Sequence, residues 1–320
     1  MAVQHDAAQP IPVLVNRQGG SAAAAGDKIK ADVETAFRDA GLSADVDLLD
    51  AADMRPAVER LDAPMVVVGG GDGTLGAAAS ILIERGRTAL GLLPLGTHNH
   101  FARQLGIPAD LPGAVRVLAE GARRRVDVGT VNGHIFLNNA SIGFYPTLVR
   151  SREHEQHRRG LPKWMANMPA AWAALRRLRH HRLRVEIDGA ERWVRTPLLF
   201  VGNNLYSLDG GRIGQREALD RGELSLFSVK SRTRLGALWF GLRLLAGRAD
   251  LEYDFGVAET CRTLTVHAHS PQIHVALDGE VRCLESPLYF EIKPGALEVI
   301  VGAEPDAAPG ETETDFSARS

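Results

Sequence analysis

The stretch Met65–Gly76, Met-Val-Val-Val-Gly-Gly-Gly-Asp-Gly-Thr-Leu-Gly, sets four apolar residues against four glycines in five positions. Met65–Val68 predicts a short buried strand. From Leu75 to Arg85 the apolar residues Leu75, Ala78, Ala79 and Leu82 recur at helical spacing, and Gly86 stands where a helix would stop. A strand that feeds a helix through glycines is a phosphate-loop arrangement. Glycine lets the backbone approach a ligand closely, and the free N–H groups at the helix start favour an anion.

Two familiar phosphate loops fail here. The stretch has no Gly-Lys-Ser/Thr. Gly71-x-Gly73-x-x-Gly76 fits the dinucleotide pattern, but no Asp or Glu lies between Glu84 and Asp110, where the ribose partner would stand. The distinctive residue is Asp72, a carboxylate among N–H donors. Next to phosphate it needs a cation between the two, and Mg²⁺ carried by a nucleotide is the natural one. A tight strand–helix turn with no ligand is the plain alternative.

Outward from this loop, 11–16, 46–49, 65–68 and 89–93 predict strands. The stretches 22–40, 54–61, 75–85, 101–105 and 112–119 predict helices. That alternation implies a parallel sheet covered on both faces, with ligands at the carboxyl ends of the strands. After about Arg125 the texture changes. Asn132-Gly133 and Asp188-Gly189 are hairpin turns between strand-like runs, and further strands are predicted at 224–229, 253–257, 264–269, 273–277, 288–292 and 297–301. Helical insertions are predicted over about 146–179 and 234–246. The fold class is therefore an N-terminal parallel α/β nucleotide-binding domain (1–126) followed by a C-terminal antiparallel β-sandwich (127–302), with 303–320 a disordered acidic tail.

Composition bounds the function. A chain of 320 residues with 45% hydrophobic content can fill two cores. A net charge of −2 gives no pull toward nucleic acid, and none is expected as a partner. Two cysteines, Cys261 and Cys283, fit a reducing compartment, so a cytoplasmic location is expected. No apolar run is long enough to span a bilayer.

Gly-Gly-Gly-Asp-Gly-Thr after a strand resembles the diacylglycerol kinase catalytic-domain family, which includes bacterial lipid kinases and sphingosine kinases, and more distantly the NAD kinases. Other motifs in order strengthen the resemblance: Asn16-Arg17-Gln18-Gly19-Gly20, Pro94-Leu95-Gly96-Thr97-His98-Asn99, Phe136-Leu137-Asn138, Ile142-Gly143-Phe144, Gly202-Asn203-Asn204 and Asp278-Gly279-Glu280. The resemblance covers nearly the whole chain. It implies an ATP-dependent lipid kinase, with diacylglycerol as default acceptor and the active site between the two domains.

It also implies the residue roles. Asn16, Gly20, Gly70, Gly71, Asp72, Gly73, Thr74, Gly96, Thr97 and Asn99 would bind ATP, and Asp72 would hold the Mg²⁺ of Mg-ATP through water. Glu280, Asp278 and Asp72 would be catalytic. Glu280 is expected to be the general base, with Asp278 organising Mg²⁺ or orienting Glu280. Two departures stand out. His100 occupies a position that is usually Asp, and Arg221 replaces a metal-binding Asp in Leu219–Leu224, leaving Asp220 as a candidate for a shifted site. His98-x-His100 could ligate a metal but lacks a third partner. Arg150–Arg184 carries ten Lys or Arg against Glu153 and Glu155, with Trp164 and Trp172 among them, and fits either an anionic membrane surface or a solvated face. The partner expected is a lipid at the inner face of the membrane; a homodimer is also compatible. The rival readings are a kinase of a soluble acceptor such as NAD, and a non-catalytic nucleotide-binding regulator.

Overall fold

The computed structural model describes residues 9–86, 88–97, 99–143, 180–206, 216, 218–230 and 255–302. The first half runs β1 (Ile11–Asn16), α1 (Gly20–Ala25), α2 (Lys28–Asp39), β2 (Ala44–Leu49), α3 (Ala51–Arg60), β3 (Met65–Gly70), α4 (Asp72–Arg85), β4 (Ala89–Pro94), α5 (His100–Gln104) and α6 (Leu111–Glu120). Strands β2, β1, β3 and β4 lie parallel and adjacent in that order. Val66, Val67 and Val68 are fully buried, as are Leu90, Leu92 and Leu93 beside them. The four glycines from the end of β3 into the start of α4 cost roughly 2–4 kcal/mol relative to alanine. Burying the three valines contributes roughly 1.5–3 kcal/mol each, so the strand can carry the loop.

The second half runs β5 (Ala122–Val131), β6 (His134–Phe136), β7 (Asn139–Gly143), β8 (His181–Ile187), β9 (Ala190–Thr196), β10 (Leu198–Asn203), β11 (Leu224–Val229), β12 (Phe255–Cys261), β13 (Thr263–His267), β14 (Gln272–Leu277), β15 (Glu280–Glu285) and β16 (Leu288–Val301). An antiparallel six-stranded sheet, β12-β11-β10-β7-β14-β15, packs over β5, β13, β8 and β9 through Val131, Phe136, Ile142, Val185, Leu226, Val266, Val275 and Phe290.

The two halves are not separate sheets. β16 pairs with β4 in parallel at Val299 and with β5 along most of its length, so one ten-stranded sheet runs through both. The expected boundary at 126/127 falls inside β5. Strands expected at 288–292 and 297–301 are one strand, because Pro294-Gly295 forms an irregularity rather than a break. The register with β5 shifts there, Gly295 takes φ +57°, and its N–H donates to Asp127 Oδ1 at 2.8 Å. The same Asp127 accepts Gly222 N–H at 2.6 Å.

Other elements also differ from the sequence reading. The helix expected over 22–40 is two helices, because Gly26 adopts φ +60° between them. Pro197, whose ring removes a ladder donor, separates β9 from β10. β15 was not anticipated, since its six residues break the polar–apolar alternation at Cys283-Leu284. The expected insertions at about 146–179 and 234–246 and the tail 303–320 lie outside the described residues.

Candidate functional site

The loops after β1, β3 and β4 converge at the carboxyl ends of their strands. Gly96 sits so close to the glycine loop that a side chain there would meet Gly71 Cα at 2.2 Å. Gly20 packs on Gly96 and Thr97, where a Cβ would come within 2.8 Å and 3.0 Å of their backbones. Asn16 ties two of the loops together: its amide donates to Thr74 Oγ1 at 2.9 Å, and its carbonyl oxygen accepts Gln18 N–H at 3.0 Å. At the start of α4 no side chain caps the first-turn N–H groups, and the cap residue is Gly71. Uncapped donors at the N-terminus of a fourteen-residue helix, cradled by glycines, suit a phosphate.

These loops form one wall of a cleft of about 610 Å³. Its lining includes Asn16, Gly20, Gly71, Asp72, Gly73, Thr74, Gly96 and Thr97 from the first half, and Asp278 and Glu280 from the second. Asp278-Gly279 is the turn between β14 and β15, so Glu280 is the first residue of β15. Its carboxylate reaches across the cleft: a Cβ added at Gly73 would lie 2.3 Å from Glu280 Oε1. Thus residues 207 positions apart (280 − 73) meet at the phosphate loop.

Two expected ligand-binding residues do not line the cleft. Asn99, at φ +48°, bonds its own loop, with Nδ2 donating to Pro94 O and Gly96 O and Oδ1 accepting Gly96 N–H. Gly70 lies beneath Thr74, where a Cβ would come within 2.7 Å of the threonine side chain. Both shape the loops from behind.

Asp278 is held by three backbone donors. Its carboxylate accepts the N–H groups of Leu137 at 2.7 Å, Asn138 at 2.7 Å and Asn139 at 3.0 Å. Burial raises its pKa to about 6, partly opposed by these three donors, with the Asp72 charge adding to the rise. The group therefore anchors the turn that presents Glu280. Asp72 is likewise engaged: Oδ2 accepts His100 N–H and Oδ1 accepts Phe101 N–H, both at 3.0 Å. A single carboxylate beside phosphate donors fits the usual Mg²⁺ arrangement, in which nucleotide phosphates and water complete the shell. Among the described residues no group of three or more His, Cys, Asp or Glu could hold an ion by itself.

His100 contributes its backbone to Asp72, while its ring lies 2.9 Å from Arg103 Nη2; His98 lies outside the described residues. In Leu219–Leu224, Asp220 pairs with Arg124 at 2.9 Å, and Arg221 donates its backbone N–H to Asn204 Oδ1. A guanidinium already meets Asp220.

The second half adds basic groups to the cleft that the motifs did not point to: His134, Arg282 and Lys293. Arg282 Nη2 lies 3.7 Å from Glu280 Oε2, and its Nη1 is 3.4 Å from His134 Nδ1. The spacing Glu280-x-Arg282 on a strand was the available signal, since alternate residues share a face.

Comparisons with known proteins agree with this architecture. Residues 10–131 match the Diacylglycerol kinase catalytic domain, and residues 147–301 match the YegS C-terminal NAD kinase beta sandwich-like domain. A protein of Chromohalobacter salexigens named "Probable lipid kinase YegS-like" is 32% identical over 238 residues, covering 72% of this chain and 74% of its own. One of the same name from Pseudomonas savastanoi pv. phaseolicola is 31% identical, covering 75% and 76%. A crystal structure of a diacylglycerol kinase from Bacillus anthracis superposes with a TM-score of 0.64 at 20% identity, covering 92% of this chain and 97% of that one. At that identity the likeness shows the shared fold.

Proposed function

This chain belongs to the YegS-like lipid kinase family, and we propose that within it the protein transfers the γ-phosphate of ATP to the hydroxyl of diacylglycerol, giving phosphatidic acid. The family makes it a phosphotransferase with an alcohol acceptor. The observation that supports transfer to a hydroxyl is the approach of Glu280 to Gly73 across the cleft, which sets a carboxylate beside the phosphate loop; diacylglycerol is taken as the acceptor by family resemblance.

In this reading the α4 N-terminus, Gly71, Gly73 and Thr97 bind the nucleotide phosphates, and Asn16 holds Thr74 in place. Bound Mg²⁺, held by Asp72 through water, would neutralise phosphate charge. Glu280 accepts the proton of the acceptor hydroxyl as the O–P bond forms. Such help is typically worth about 10²–10⁴ in rate. Asp278 keeps the Glu280 turn in position. Arg282 and Lys293 supply positive charge where the transferred group becomes more anionic.

The acceptor would be met at a membrane surface, from the cytoplasmic side. Among the described residues no helix is long and apolar enough to cross a membrane. Support for peripheral contact comes from Trp193 and Tyr289, the exposed large apolar side chains among the described residues. Strand register sets them on one sheet face: Trp193 pairs with Arg184, Arg184 with His267, and Tyr289 with Thr265 two residues away. Arg182 stacks over Trp193 at 5.1 Å. Most of the basic stretch Arg150–Arg184 lies outside the described residues.

The test is transfer from γ-labelled ATP to a panel of acceptors: diacylglycerol and sphingosine in vesicles, and NAD in solution. Labelled phosphatidic acid is the expected product. Label on NAD alone would replace the lipid reading by a soluble one, and nucleotide binding with no transfer to any acceptor would favour a regulator.

A further inference from the structure

One half-buried charged group near the cleft has no part in the mechanism above. The Arg216 guanidinium donates from Nε to Gln104 Oε1 at 2.6 Å, with Nη2 also on that oxygen. Nη1 donates to Leu137 O at 2.7 Å and to Asn203 O at 3.2 Å, and Nη2 reaches Asn138 Oδ1 at 3.3 Å. The rings of Phe101 and Tyr206 each lie 6.0 Å from its carbon. Its partners therefore come from three places: the end of α5, the turn between β6 and β7, and the end of β10.

Those partners are themselves tied to the two carboxylates of the cleft. The start of α5 donates His100 and Phe101 N–H to Asp72. The turn after β6 donates Leu137, Asn138 and Asn139 N–H to Asp278. A continuous path thus runs from Asp72 through α5 to Gln104, across Arg216, through Leu137 and Asn138 to Asp278, and on to Glu280. We propose that Arg216 is a positioning residue for phosphoryl transfer, whose forked guanidinium fixes the distance between the glycine loop and the Glu280 turn. This rests on the reading of Glu280 as the base.

The geometry requires arginine. A guanidinium offers five donors in a rigid plane and can serve acceptors on three elements at once, whereas an ammonium is a single point with a flexible stem. Burial lowers the Arg216 pKa, opposed by Tyr206, Asp278 and Asp72, so the cation sits within the field of both cleft carboxylates. A shift of about 1 Å in a reacting group can cost about 10²-fold in rate even when the substituted residue is remote from the chemistry.

The experiment uses the full chain with Arg216→Gln, Arg216→Lys and Gln104→Ala, each checked for folding by circular dichroism. Kinetics with ATP and diacylglycerol are paired with a distance measurement between spin labels. One label sits on the exposed native Cys283 of β15 and one on Arg60→Cys at the exposed end of α3; Cys261 is buried, its thiol pushed up to about 12, and does not label. For Arg216→Gln the expectation is a fall in kcat of about 10-fold or more, ATP KM within about 3-fold of wild type, and a broadened label distance. Arg216→Lys should not restore either property. Gln104→Ala should move both the same way by less, and combined with Arg216→Gln it should add nothing, as expected of two residues in one link. A folded Arg216→Gln protein with wild-type kcat and an unchanged distance would overturn the proposal. So would a rise in ATP KM alone, which would mark Arg216 as a nucleotide contact. If Arg216→Gln does not fold, an unaltered kcat and distance in Gln104→Ala overturns it. If wild type leaves diacylglycerol unphosphorylated, the acceptor assignment fails, and the label distance still decides the role of Arg216.

Discussion

The glycine loop after β3 and the Asp278-Gly279-Glu280 turn after β14 face each other across one cleft, yet they are built on opposite principles. The loop works by what it lacks: without side chains, backbone N–H groups at the α4 start come within reach of a ligand, and Gly96 can lie against Gly71. The turn works by its side chains: Asp278 is consumed in holding three N–H groups, so that Glu280 alone is presented. A preorganised cradle of backbone donors with the engaged Asp72 beside it on one side, and Glu280 with Arg282 at 3.7 Å on the other, would suit anchoring a phosphate while a proton is taken from a second substrate.

Perturbing each side separately should give different signatures. The largest effect is expected at Asp72, where the two sides meet through α5. Asp72→Asn should lower kcat by at least about 10²-fold while keeping the fold, because one amide oxygen can still accept one of the two N–H groups and the lost bond costs about 1 kcal/mol. Normal turnover in a folded variant would remove Asp72 from the mechanism. Gly96→Ala comes next: its Cβ would strike the Gly71 backbone, which cannot yield as a flexible side chain would. Thermal unfolding should show a loss of about 1–3 kcal/mol, and weakened ATP binding should accompany it. Unchanged stability and affinity would mean the loops are not packed as described.

Gly73→Ala sharpens the contrast, since only the tip of Glu280 stands in the way of the new methyl group. Gly73 lies in the first turn of α4, where alanine is favoured by up to about 1 kcal/mol. Stability should therefore hold or rise while kcat falls by about 10-fold as Glu280 is displaced. A stable variant with full kcat would separate Glu280 from catalysis.

The smallest effect concerns Asp278. Its folded pKa of about 6 lies above the ordinary carboxylate value of about 4. Between those values the folded state binds the extra proton, so this group's contribution to stability falls as pH rises from about 4 to about 6. Relative to Asp278→Asn, the wild-type unfolding free energy should decline across that window by at most about 1.4 kcal/mol per pH unit. Parallel pH profiles for the two proteins would show that Asp278 is not desolvated.

The first half was largely legible in the sequence because its signals are local. Val66–Val68 followed by four glycines fixes a buried strand and a close approach within ten residues, and the Pro94–Asn99 loop repeats the device. The second half depended on distance. Nothing near Pro294-Gly295 says that β16 continues past it, because the N–H of Gly295 is satisfied by Asp127, 168 positions away (295 − 127). Asp278 carries a turn sequence and a motif, but neither shows that its carboxylate holds the N–H groups of Leu137, Asn138 and Asn139, about 140 positions away. Arg216 had no signal at all, because one arginine outside any motif becomes meaningful only when α5, the turn after β6 and β10 surround it.

The central claim is that Glu280 takes the acceptor proton at the phosphate loop. Glu280→Gln keeps the size and hydrogen bonding of the side chain and removes its basicity. Steady-state kinetics of this variant, paired with calorimetric Mg-ATP binding, should show kcat reduced by about 10²-fold or more with ATP affinity near that of wild type. A retained kcat with weakened ATP binding would contradict it and make Glu280 a contact of the nucleotide instead.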